Sequence, residues 1–464
     1  MIPLLAALVA LVVLLPLLLR TSPLQGTLCA VQACVAAAGV ARSAYPSLRP
    51  VALVTFVFTF SWLGVAPAYQ LATGRAAWRD YGVIAGPHTT TALVLMVLAT
   101  VTLYVGFFRP GATPAVAPSP TATPLDPPRW VCLGYLFACL VLAPGAVAAG
   151  GGLAGMFSSR AERSAALVAQ GISLQDAGGL QVALVSILPG ALATAGCYLS
   201  LIRVLNQYRA AGWAEIGALD AGLLVLGMAL VVVFANPFVN TRALSAAAIG
   251  SLVLLVVRPR TGRAGVWMAA VLLVATLVAY PAANAFRGTT STQPQPQGLE
   301  FLGGQDFDGF QQAINAGEFV EDLGHSGGTY SFSGILYFVP RAVWADKERP
   351  ASIDVAANRG YAFTNLSLPV HAELYLDFGP VGMTAVLFVL SAAGRRSDLD
   401  WAAGLGSRAA LMAPYACLAC LSIIRGPIGS NGPVYLTNLG LIGLGLLLAR
   451  HRAAVPIPPV RSPG

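Results

Sequence analysis

Charge is scarce in this sequence. Of its 464 residues only 10% are Asp, Glu, Lys or Arg, against 56% hydrophobic, where a soluble protein carries about 25% charged residues. The shortfall excludes a soluble enzyme, a disordered protein and a nucleic-acid-binding domain with a basic face. Lysine is nearly missing: 26 of the 27 basic residues are Arg, and the single lysine is Lys347. The net charge of +8 is no nucleic-acid signal either, because the arginines sit mostly at the ends of apolar runs, where topology signals belong. The seven cysteines all fall inside apolar stretches, so no disulfide framework is implied. Cys417 and Cys420 form a C-x-x-C with no second pair and read as small buried hydrophobes. There is no internal repeat. The segment Met1–Arg20 lacks a basic region before its apolar core, so it reads as a first span and not as a removable signal.

What the chain does have is apolar runs. A helix spans a bilayer with about 20 apolar residues. Twelve runs fit or come near: Ile2–Leu19, Leu24–Val40, Val51–Leu71, Thr89–Phe108, Trp130–Ala149, Leu180–Ile202, Ile216–Phe234, Leu244–Val257, Val266–Ala283, Leu374–Ala392, Ser407–Ile424 and Val434–Leu448. The expected fold class is therefore an all-α polytopic membrane protein with about 12 transmembrane helices. Residues 1–283 hold the first nine spans, with a disordered Pro-rich cytoplasmic linker at 110–128. Residues 284–373 form one large extracytoplasmic loop, and residues 374–464 hold the last three spans and a cytoplasmic tail. With cytoplasmic termini, the short inside segments carry 15 basic residues and the short outside loops 7, the asymmetry expected for that orientation.

The long loop carries ten of the 19 acidic residues and five of the basic ones. Its length and aromatic content point to function. Ser291–Gly298 reads as an extended Pro/Gln linker. Asp306–Asp322 reads as a short helix, with Asp306 as N-cap and Phe307, Phe310 and Ile314 on one face. Gly334–Trp344, apolar but too short to span, suits an interfacial or re-entrant helix.

Charged groups near lipid are costly and need a reason. Four arginines stand on the outer side: Arg242, Arg287, Arg341 and Arg425. Guanidinium groups bind phosphate oxygens bidentately, so their convergence would make a site for a lipid diphosphate; singly, each could simply snorkel or pair with a loop acid. His371 and Glu373 precede the tenth span, where a base could deprotonate a sugar hydroxyl and where Glu373 could equally pair with an arginine. Asp306-Phe307-Asp308 has the look of a D-x-D metal motif, but capping explains Asp306 more simply. His325-Ser326-Gly327-Gly328 reads as a turn, not as a hydrolase site.

On these residues the chain resembles the O-antigen polymerases, the oligosaccharide repeat-unit polymerases. The resemblance is carried by Asn236–Arg242, Pro281–Arg287, Gly303–Phe310, Phe338–Lys347, Thr364–Gly379 and Ile424–Pro427, in that order, across about residues 230–430. The family's proline after the lysine is replaced here by Glu348. The resemblance implies a C-type glycosyltransferase of the bacterial cytoplasmic membrane that needs no metal or other cofactor. It would join repeat units carried on undecaprenyl diphosphate at the outer face, with membrane lipid around it and a chain-length regulator as a candidate partner. Arg242, Arg287, Arg341 and Arg425 are then expected to bind diphosphate, Glu373 and His371 to act as base or acceptor-orienting groups, and Asn365 and Asp308 to contact sugar. The nearest competing reading is an O-antigen ligase-like transferase. A polysaccharide-lipid transporter or flippase ranks lower, since charges cluster at the interface and not at mid-membrane.

Overall fold

Over its described residues, each of the twelve apolar runs lies largely on a helix. The computed structural model describes residues 2–81, 84, 86–110, 125–171, 180–279, 298–364, 366–404 and 406–451. The helices are α1 (Ile2–Leu18), α2 (Pro23–Ala44), α3 (Pro50–Thr73), α4 (His88–Phe108), α5 (Arg129–Ala149), α6 (Arg160–Ala169), α7 (Ala183–Ala211) and α8 (Ala218–Phe234). They continue with α9 (Arg242–Val257), α10 (Gly262–Val278), α11 (Gly309–Leu323), α12 (Thr329–Ile335), α13 (Ala351–Asn358), α14 (Val370–Ala402), α15 (Arg408–Arg425) and α16 (Ile428–Leu447). Seven of them, α2, α3, α4, α5, α7, α14 and α15, are long and apolar enough to cross a membrane, and α1, α8, α9 and α10 are apolar but shorter. α16 has 20 residues, but Asn431 and Asn438 interrupt its apolar run.

The surface is inverted relative to a soluble fold. α1 turns Leu4, Leu5, Val12 and Val13 outward, and α10 exposes Val266, Trp267 and Val271, while Gln32, Thr55 and Gln70 are buried. Such a belt suits lipid as solvent. One core gathers α1–α4, α11 and α14 around Phe58, Trp62, Met96 and Phe310. A second gathers α5, α7, α8, α9, α15 and α16 around Leu136, Tyr198, Tyr415 and Ile442. Small residues bring helices close, as in other membrane bundles: a Cβ on Gly227 of α8 would stand 2.8 Å from the Cys197 Cα of α7.

α14 breaks where Gly379, at φ 67°, precedes Pro380. A left-handed φ favours glycine, and proline cannot continue the preceding helix. Residues 370–378 therefore form a separate short helix, and the run expected to span from Leu374 crosses this break. At the bundle end away from the long loop, the strands β1 (Leu125–Asp126) and β2 (Arg450–His451) pair antiparallel.

Three local expectations are corrected. Asp306 is not the cap of α11: it sits in a 3₁₀ turn, Gln305–Phe307, and the helix starts only at Gly309. The apolar face is as expected, with Phe307, Phe310 and Ile314 buried. Gly334–Trp344 is not one helix, because α12 starts earlier, at Thr329, and stops at Ile335. Lys347 ends it there, its Nζ donating to the carbonyls of Leu336, Tyr337 and Val339. The Pro-rich linker ends in strand β1, not in coil; residues 111–124 and 280–297 lie outside the described residues, the latter including nearly all of the Pro/Gln linker. Among the helices named above, α6 and α13 had no counterpart in the sequence reading. α6 is polar, and the capping box Ser159-x-x-Glu162 at its start is the sequence signal that marks it.

Candidate functional site

The long loop is anchored on α3 by polar side chains aimed at its backbone. Gln70 Nε2 donates to the carbonyls of Leu302 and Phe307, each at 2.8 Å, and Trp62 Nε1 to that of Asp306 at 2.8 Å. Trp62 also stacks on Phe307, with centroids 4.6 Å apart. Beyond α3, Gln311 clamps Trp78: its Oε1 accepts from the Trp78 N–H and its Nε2 donates to the Trp78 carbonyl. These contacts fix the segment that carries Asp306 and Asp308.

Asp308 is buried. Its Oδ2 accepts from Trp78 Nε1 at 3.0 Å and from the Ser367 N–H at 3.3 Å, and its Oδ1 meets no donor among the described residues. Burial pushes its carboxyl up from the ordinary value, while the Trp78 N–H and the nearby Arg425 charge pull it back. Asp306 takes a different partner: its Oδ1 lies 3.7 Å from Arg425 Nη2, which also donates to its carbonyl at 3.4 Å. The D-x-D pair thus divides between an arginine and an indole.

Arg425 ends α15, and only Gly426 and Pro427 separate it from the start of α16 at Ile428. Glu373 sits at this turn. It is fully buried, and its Oε2 accepts from the Ile428 N–H at 2.5 Å, with the Gly429 N–H alongside. A carboxylate on the first turn of a helix satisfies orphan donors and meets the positive end of the dipole. Expected as a base, Glu373 is placed as an inter-helix cap, away from open surface. His371 is likewise buried, and its Nε2 has no hydrogen-bond partner among the described residues.

The remaining arginines come to the same helix by other routes. Arg341 is exposed on the turn after α12, its Nη1 donating to the Lys347 carbonyl at 2.5 Å. α12 crosses the start of α16 at backbone contact, where a Cβ on Gly334 would stand 2.8 Å from Gly429. Glu348, where the resemblance expects proline, gives its N–H to Ser333 Oγ at 3.1 Å, a bond that proline could not make. Arg242 opens α9 directly after Thr241, whose side chain caps Leu244 N and reaches Tyr435 of α16. The preceding turn is built by Asn236, whose Oδ1 accepts from the N–H groups of Phe238 and Val239. The residue before Arg242, the helix α12 that precedes Arg341, the Glu373 side chain and the end of α15 that carries Arg425 therefore all meet the N-terminal half of α16. Arg287 and Asn365 lie outside the described residues.

Two residues were missed in the sequence reading. Asp377 is one turn beyond Glu373, on the same helix face; it accepts from Ser326 Oγ and, at 2.8 Å, from the Ser331 N–H, capping α12. Arg163 of α6 is buried against the Asn236–Arg242 turn, 3.5 Å from Asn240 Oδ1. The i, i+4 spacing announces the first; nothing local announces the second. No family model, curated protein or solved structure matches this chain.

Proposed function

We propose that this protein is a membrane glycosyltransferase that polymerises lipid-diphosphate-linked oligosaccharide repeat units, acting at the end of the bundle where the long loop lies. The observation that carries the reading is the meeting, on the first half of α16, of three elements that carry or directly precede Arg242, Arg425 and Arg341. Fixed guanidinium groups stabilise the charge that develops on a diphosphate leaving group. Lipid diphosphate already leaves readily, so the protein's work is placement and charge neutralisation. In this reading Arg242, Arg341 and Arg425, together with Arg287, hold the diphosphate. Asp308 and Asn365 contact sugar. Glu373 acts through α16, fixing the turn on which Arg425 is carried. His371 lines the same short helix and orients the acceptor segment. The reaction forms a glycosidic bond from the acceptor hydroxyl to the donor's anomeric carbon, breaks the bond from that carbon to the diphosphate oxygen, and releases lipid diphosphate and the hydroxyl proton.

Single alanine substitutions test the clamp. Arg341→Ala and Arg425→Ala are each expected to slow chain growth by about 10²–10³-fold, the cost of one fixed donor at a developing anion. The readout is polymer length on gels from cells carrying each variant at wild-type protein level. Full-length polymer from both variants would remove the clamp from the reading. Long lipid-linked polymer accumulating on deletion of the protein would favour a ligase-like transferase instead.

A further inference from the structure

The irregular segment after α12 carries an apolar surface. Phe332 and Ile335 of α12, then Leu336, Phe338 and Val343, are all exposed, Phe338 at 66% and Val343 at 79%. Exposed apolar patches of this kind mark membrane or partner sites. From Phe332 to Trp344 the one charged residue is Arg341, which is exposed as well. The acids begin only at Asp346.

The segment does not ride above the bundle but runs down the side of α16. Gly334 lies against Gly429, and its carbonyl stands 3.5 Å from where a Cβ on Gly432 would be. Further on, the Tyr337 hydroxyl bonds the Thr437 hydroxyl. Thr437 lies nine residues beyond Ile428, the start of α16, which is about 14 Å along the helix at 1.5 Å per residue. Phe332 also meets Phe378 edge to face, with centroids 6.2 Å apart. Just past the break in α14, Val381 is 80% exposed, and farther along the helix Val389 and Leu390 are exposed too. The patch thus continues into the apolar belt of the bundle.

Non-helical backbone is costly in lipid, because its N–H and C=O groups find no water there. Here the chain meets them itself. The Lys347 ammonium, on a residue 5% exposed, donates to the carbonyls of Leu336, Tyr337 and Val339 at 3.2, 2.6 and 3.1 Å. The Pro340 carbonyl accepts from the N–H groups of Val343 and Trp344, and the Lys347 carbonyl from Arg341 Nη1. In a loop lying in solution, water would satisfy these carbonyls. Burying the chain's single lysine to do so is costly, and it serves a place where water is scarce.

We propose that residues 332–344 form a wedge set into the lipid leaflet at the long-loop end of the bundle, beside α16, with Phe338 and Val343 among the acyl chains and Arg341 at the level of the headgroup phosphates. Aromatic side chains and a snorkelling arginine suit that boundary. The inference rests on the bundle lying in a membrane and not on the polymerase reading.

Photo-cross-linking of the full chain in vesicles of phosphatidylethanolamine and phosphatidylglycerol tests it. p-Benzoylphenylalanine is placed singly at three exposed positions: Phe338, Val389 on α14, and Leu323, which follows Glu321 and Asp322 at the end of α11. After irradiation, mass spectrometry identifies what each position has captured. The expected result is lipid capture at 338 within about two-fold of that at 389 and about ten-fold above that at 323. Lys347→Met keeps most of the stem and removes the ammonium. It is expected to lower capture at 338 about five-fold, as the unmet carbonyls draw the segment toward water, and to leave capture at 389 unchanged. Capture at 338 no higher than at 323 would overturn the wedge, and so would cross-linking of 338 to a second copy of the chain. Undiminished capture at 338 in Lys347→Met would overturn the part given to the lysine.

Discussion

Glu373 shows how far one residue can be read from sequence. A carboxylate just before a span suggests a base or a partner for arginine. Its carboxylate instead rests on the Ile428 N–H, 55 positions away in the chain. No local pattern encodes so distant a partner. The consequence is a distinction between two substitutions. Glu373→Gln keeps an acceptor oxygen for the cap and is expected to keep nearly all of the stability. Glu373→Ala leaves the α16 donors unmet and is expected to cost about 1–2 kcal/mol. Thermal unfolding of both variants in detergent measures the difference. Equal losses would mean that the charge, and not the cap, is what this position supplies.

The broken helix α14 carries three such carboxylates, two before its break at Gly379 and one after it. Glu373, Asp377 and Asp398 of α14 each accept backbone N–H groups from the first turn of another helix: α16, α12 and α3 respectively. Capping of this kind aligns helices as well as ending them, because the acceptor is fixed on one element and the donors on another. Asp377→Ala should loosen α12 selectively, speeding hydrogen exchange at the Tyr330 and Ser331 amides and lowering stability by about 1 kcal/mol. Peptide-resolved exchange should show no such change at α3. Uniform acceleration across the bundle would mean that the contact is not local. The elements themselves were largely legible. Each of the twelve apolar runs marked a helix over its described residues, seven of them long and apolar enough to cross a membrane, since burial in lipid or core leaves a continuous signal. The errors came where short-range polar contacts decide an end: the 3₁₀ turn that delays α11 to Gly309, and the Lys347 ammonium that stops α12.

At the scale of the whole molecule, composition alone pointed to an all-α chain of apolar helices, and the helices, their exposed apolar belt and their buried polar residues agree. The site was legible only in part. The sequence reading expected Arg242, Arg341 and Arg425 on one face, but carried no sign of α16 as the helix that their neighbouring elements meet. That role depends on Gly334 lying against Gly429 and on Thr241 reaching Tyr435, contacts that only the folded chain makes. The most direct measurement is reconstitution of the purified protein in lipid with a synthetic undecaprenyl-diphosphate oligosaccharide, chelator present, analysed by gel and mass spectrometry. A ladder spaced by one repeat unit, lost in Arg425→Ala, is the predicted result. The oligosaccharide lipid neither bound nor elongated, or a ladder that appears only when metal is restored, would contradict it.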